Sequence, residues 1–178
     1  MTSWSTIHDE ASLKETISQI VAGDYSFYDQ YPKHGLAYCQ GDVLAFKSPA
    51  PFVAPDGSLK GIGDFEHWLL ASNTCDIDRE LKDVERVQLL PVLKLSRYQF
   101  KSDSLASLQG YRLSRRFYLP PNDNGIGAGD TIWFVDFTLW TTMHKEALFG
   151  MCKRTATLTF EGWLLLHSCL VRYFARAD

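Results

Sequence analysis

The sequence predicts a mainly β protein, a small antiparallel barrel with one helix added before it and one behind it. Three observations point there. Short apolar runs bounded by Gly, Pro, Asn and Asp recur through the middle of the chain, which is strand-and-turn patterning. Helical periodicity is clear in two segments, one near each end. A long Pro- and Gly-rich stretch separates the first core strand from the second, as loops do in small barrels.

The first helix opens at Ser12, where Ser12 and Glu15 read as a capping box satisfying free N–H groups reciprocally. Leu13, Ile17, Ile20 and Val21 follow at helical spacing, and Gly23 suits the stop. Residues 25–35 are Tyr-rich and polar and read as a connector. Val43-Leu44-Ala45-Phe46 is a short apolar strand. Residues 48–64 hold Pro49, Pro51, Pro55, Gly57, Gly61 and Gly63, a pattern for neither helix nor central strand. Loops this long often serve as lids or binding loops.

Residues 68–72 read as a buried strand ended by the turn formers Asn73-Thr74-Cys75-Asp76. Residues 87–92 form another, which Pro91 demotes to an edge, a bulge or a strand end. Residues 102–108 suit a short helix closed by Gly110. Residues 116–119 are a strand stopped by Pro120-Pro121, 122–129 a Gly-rich turn, 131–138 the strongest strand, and 156–158 a last short one. Thr159 is a natural N-cap for the closing helix. Phe160, Trp163, Leu164, His167, Leu170, Val171 and Phe174 fall on one face of it, with His167 as a core-edge or interface histidine.

Composition narrows the class. The chain has 178 residues, 46% hydrophobic and 22% charged, which fits one globular core. Its longest apolar run, Trp163-Leu164-Leu165-Leu166, is too short to span a bilayer, and Met1-Thr2-Ser3-Trp4-Ser5 has no secretory character. A cytoplasmic protein with no membrane partner is expected. The net charge of −3 argues against broad, non-specific nucleic-acid binding while leaving room for a local basic groove. The four cysteines, Cys39, Cys75, Cys152 and Cys169, show neither C-x-x-C nor zinc-finger spacing, so no metal, cofactor or disulfide is expected.

Gly41-Asp42-Val43-Leu44-Ala45-Phe46 resembles the opening strand of the MazF/PemK toxin family. Glu66-His67-Trp68-Leu69-Leu70-Ala71-Ser72-Asn73 stands where that family has an Arg-Pro-Val-Val-Val-x-Ser-Asn strand. Leu90-Pro91-Val92-Leu93 is similar to its Ala-Pro-Ile-Thr segment. Phe117-Tyr118-Leu119-Pro120 and residues 132–138 resemble the two strands that follow, and the C-terminal helix matches the family's end. The likeness runs over residues 36 to 176, giving an N-terminal helical extension (1–35) and a barrel domain (36–178).

The resemblance implies an SH3-like barrel, a homodimer through barrel edges and the C-terminal helix, and a toxin-like endoribonuclease acting on single-stranded RNA. Such chemistry needs a base, an acid and a cation for the developing charge. The family's arginine position reads Glu66 here, and its hydroxyl position reads Leu93. A replacement set is at hand. His67 titrates near neutral pH and suits a base or acid. Asp76 would orient it, Asn73 and Lys94 would bind substrate, and Arg112, Arg115 and Arg116 would hold phosphates beside Tyr98, Phe117 and Tyr118.

Two other functions fit the same residues. One is a non-catalytic interaction module of the same fold, holding a protein partner such as an antitoxin; Trp163 and Phe174 suit such an interface. The other is a cysteine-dependent enzyme centred on Cys75. Asp76 beside that thiol opposes its ionisation, so His67 or an arginine would have to fold close.

Overall fold

The computed structural model describes residues 10–22, 26–29, 38–46, 50–53, 59–62, 65–122, 126–127 and 129–175. Its elements run α1 (Glu10–Ala22), β1 (Tyr28–Asp29), β2 (Val43–Phe46), β3 (Ala50–Val53), β4 (Leu59–Ile62), β5 (His67–Leu70), α2 (Thr74–Asp78) and β6 (Arg86–Ser96). After a 3₁₀ turn (Arg97–Gln99) come α3 (Ser102–Gln109), β7 (Arg116–Leu119), β8 (Thr131–Asp136), β9 (Thr141–His144), α4 (Lys145–Met151), β10 (Cys152–Leu158) and α5 (Phe160–Phe174).

The protein is mainly β. An eight-stranded sheet is ordered β1-β10-β2-β5-β6-β8-β7, with β9 also on β6. All its pairings are antiparallel. β6 is the spine. One edge of it carries β5; the other carries β9 against residues 86–89 and β8 against 92–96.

That break explains Pro91, which the sequence placed at an edge, a bulge or a strand end. It lies in the middle of the central strand, opposite Trp68. On the other edge the ladder is interrupted between Leu89 and Val92, so the missing N–H falls where no strand is paired.

The period-2 alternation buries both faces of the sheet. Val43, Leu69, Leu90 and Val92 join one core with α3 and α5 through Leu105, Leu108, Leu165, Leu166 and Cys169. Leu44, Trp68, Leu70, Val87 and Leu89 join a second with α2, β9 and α4 through Ile77, Met143 and Leu148. Trp68 is 1% exposed; truncating such a side chain to Ala costs about 3–5 kcal/mol.

Other boundaries shift for local reasons. α1 begins at Glu10, so Ser12 stands inside the helix, its carbonyl accepting the Thr16 hydroxyl at 3.0 Å. Gly23, most of the 25–35 connector and half of the 122–129 turn lie outside the described residues. The 48–64 stretch, read as irregular, holds a separate hairpin of β3 on β4. Asn73–Asp76, read as a turn, starts α2, because the Asn73 carbonyl accepts from Asp76 N–H at 3.0 Å and Ile77 N–H at 3.1 Å. β9 and α4 are additional to the sequence reading.

On α5 the Thr159 hydroxyl accepts from Gly162 N–H at 3.2 Å, as an N-cap should. The buried face of that helix is Leu165, Leu166, Cys169 and Leu170. Most of the stripe read as its apolar face is rotated outward: Phe160, Val171 and Phe174 are exposed, Trp163, Leu164 and His167 are half-buried, and Leu170 is buried as expected.

Candidate functional site

His67 opens β5 beside Ala45 of β2, and the buried Trp68, Leu69 and Leu70 hold that strand in place. Lys94 on β6 stands in register with Trp133 on β8. The two side chains meet on one indole. The His67 ring centroid is 4.7 Å from that of Trp133, and Lys94 Nζ is 4.4 Å from the Trp133 centroid. Lys94 also donates to Glu66 as an ion pair.

His67 Nδ1 is buried with no hydrogen-bond partner among the described residues. Burial first, then the Lys94 charge, holds its pKa below 6.5, with Glu66 opposing. The hydrogen bond and charge of Lys94 in turn lower the Glu66 carboxyl. The cluster therefore offers a neutral imidazole next to a cation that a carboxylate already engages. That is a base and a charge, without a separate proton donor.

The remaining sequence-predicted residues lie elsewhere. His67 and α2 stand at opposite ends of β5, whose three residue steps span roughly 10 Å. Asp76 carries an ion pair to Arg79 at 3.6 Å rather than orienting His67. The Cys75 thiol is exposed and has no hydrogen bond among the described residues. Asn73 precedes α2 and is exposed.

Arg112 and Arg115 are exposed beyond α3. Arg116 opens β7, pairs with Asp136 at 3.4 Å and lies 5.3 Å from the Phe134 ring centroid. Burial acts upward on Asp136, but the Thr138 hydroxyl and N–H and Arg116 together carry its pKa down. Of the aromatics read as interleaved with these arginines, Phe117 and Tyr118 are in the core and only Tyr98 is exposed. A stacking platform built on the first two is overturned, because Phe117 and Tyr118 are both buried in the core, β7 being covered on both faces.

Two features escaped the sequence reading. The first is a buried ion pair. Asp42 is 0% exposed, accepts from Cys39 N–H at 2.8 Å and lies 2.8 Å from Arg154 Nε. Arg154 in turn sits 5.2 Å from the Tyr38 ring centroid. Gly41-Asp42 before an apolar strand was its only sequence signal. The second is Lys145 at the start of α4, 1% exposed; a lysine between Thr141-Thr142-Met143-His144 and a short helix carries no such signal.

The outward aromatic face of α5 carries Trp163 and Phe174, which the sequence offered for an interface. Phe160 stacks on Trp163 at 5.9 Å and Trp163 on His167 at 5.4 Å. The Trp163 indole donates to Gln40 Oε1 at 2.9 Å, which fixes it. Phe174 meets Trp140 at 5.8 Å, and Leu139 continues the exposed surface.

Among the described residues no group of His, Cys, Asp and Glu could hold a metal ion, and no helix is long and apolar enough to cross a membrane. No family model matches the chain, and no curated protein matches it.

Proposed function

We propose that the protein is a non-catalytic interaction module that docks through the outward stripe of α5, first of all on a second copy of itself. One observation carries this. Phe160, Trp163, His167, Val171 and Phe174 are spaced by three, four, four and three residues, a pattern symmetric about His167. A two-fold interface needs a self-complementary patch. Two antiparallel copies of this helix would set Phe160 of one opposite Phe174 of the other, and His167 opposite its own copy. The exposure of Phe174 (67%) and Val171 (39%) leaves apolar surface for such a contact to cover.

Within this reading the curled sheet with its flanking helices is an SH3-like barrel akin to MazF/PemK, and the partner held beside the dimer is an antitoxin-like protein. Sedimentation velocity tests the proposal. The wild type should run as a dimer, and Phe160→Ser/Phe174→Ser as a folded monomer by circular dichroism. Loss of the two aromatics that close the ends of the contact weakens association by about 100-fold or more. A wild type that stays monomeric at every concentration overturns it.

The His67–Lys94 pair on Trp133 favours a second reading, a toxin-like or defence-associated protein that binds or cleaves single-stranded RNA at the rim of the sheet. Fluorescence anisotropy with labelled single-stranded RNA checks it. Salt-sensitive binding that Lys94→Ala and His67→Ala abolish would support this reading over the first.

A further inference from the structure

Tyr38, Ile77, Asp78, Arg79, Leu81, Lys145 and Phe149 line a cleft of about 170 Å³ between α2 and α4, and Asp78 and Arg79 are its exposed charged residues. Lys145 is its polar floor. The backbone N–H of Lys145 donates to the Glu85 carbonyl at 2.9 Å, and its Nζ donates to the Arg79 carbonyl at 2.7 Å. An ammonium carries three donors. The bond to the Arg79 carbonyl uses one of them and draws on the charge without neutralising it. Among the described residues no carboxylate pairs with Lys145. A buried cation without a counter-ion is costly, and an anion from solution relieves it.

The walls set the rest of the ligand. Tyr38 and Phe149 lie 5.5 Å apart by ring centroids and tilt by 36°, and Ile77 and Leu81 continue that apolar surface. The Arg79 guanidinium, 60% exposed and only loosely held by Asp76, is a second cation at the mouth. We infer that this cleft binds a small organic carboxylate, its head on Lys145 and its apolar body against Tyr38, Leu81 and Phe149. The inference is independent of the α5 interface.

Benzoate, benzyl alcohol and inorganic phosphate are the probes, each titrated into the wild-type chain and followed by amide NMR. Benzoate should shift resonances of residues 77–81 and 145–149. The alcohol lacks the charge and phosphate lacks the apolar body, so each should bind about tenfold more weakly or worse. Lys145→Met should abolish the benzoate shifts. Leu81→Trp, at an exposed position that tolerates the change, should fill the cleft and abolish them in a folded protein. No benzoate response, equal binding of the alcohol or of phosphate, or benzoate binding that survives Leu81→Trp would each overturn the inference.

Discussion

The carboxylate of Asp42, fully buried, lies 2.8 Å from Nε of Arg154 and joins the start of β2 to the middle of β10. Burial pushes the Asp42 pKa above 3.8, against the Cys39 N–H, Arg154 and Thr157 that pull it down. Its contribution to stability is thus full below the unfolded pKa and is lost as pH rises through the folded one. Arg154 limits that loss. Arg154→Met should therefore destabilise the fold by about 3–5 kcal/mol at neutral pH, where the carboxylate is charged and unpaired. The gap from wild type should narrow in acid, where the carboxyl is neutral. Urea unfolding of both proteins at several pH values checks this.

His67 runs the other way. Its folded pKa is depressed, so the stability it contributes is present above 6.5 and lost as pH falls through the folded value. Lys94→Met removes one depressing charge and should raise the His67 pKa, read directly from an NMR titration of the imidazole. His67→Phe should flatten the slope of stability against pH in that window.

Two helical glycines predict opposite signs. Alanine favours a helix interior by about 1 kcal/mol over glycine. At Gly162 a Cβ would meet the Phe27 backbone oxygen at 2.7 Å, where β1 joins α5, so Gly162→Ala should cost about 1–3 kcal/mol net. At Gly150 in α4 a Cβ meets nothing within 4 Å. There Gly150→Ala should raise Tm by about 2–4 °C. Differential scanning calorimetry reads both.

Local chemistry made much of the fold legible. β2, β7 and α3 stand where breakers and caps placed them, as does α5 behind Thr159. The antiparallel, mainly β class followed from the same punctuation. β9 was hidden because only Met143 of its residues is buried, and α4 because seven residues with an internal glycine carry little periodicity. Pro91 misled because local rules cannot see a gap in a neighbouring ladder. At the site, His67 and Lys94 lie together on Trp133, whereas β5 separates His67 from Asp76. The buried partners Asp42 and Arg154 are brought together only by the β2–β10 pairing, which no local pattern encodes. The rotation of α5 is of the same kind: its periodicity is real, but Leu165, Leu166 and Cys169 are equally apolar and won the core, with Leu170 of the predicted stripe beside them.

Cysteine cross-linking across α5 tests the two-fold pairing of this helix. In a Cys75→Ser background, which removes the exposed thiol, antiparallel pairing about His167 brings position 167 against its own copy and sets Val171 against Trp163 of the other chain. His167→Cys should oxidise to a covalent dimer, and Val171→Cys should stay monomeric on a denaturing gel. Cross-linking at 171 as readily as at 167, or at neither position, would contradict the account.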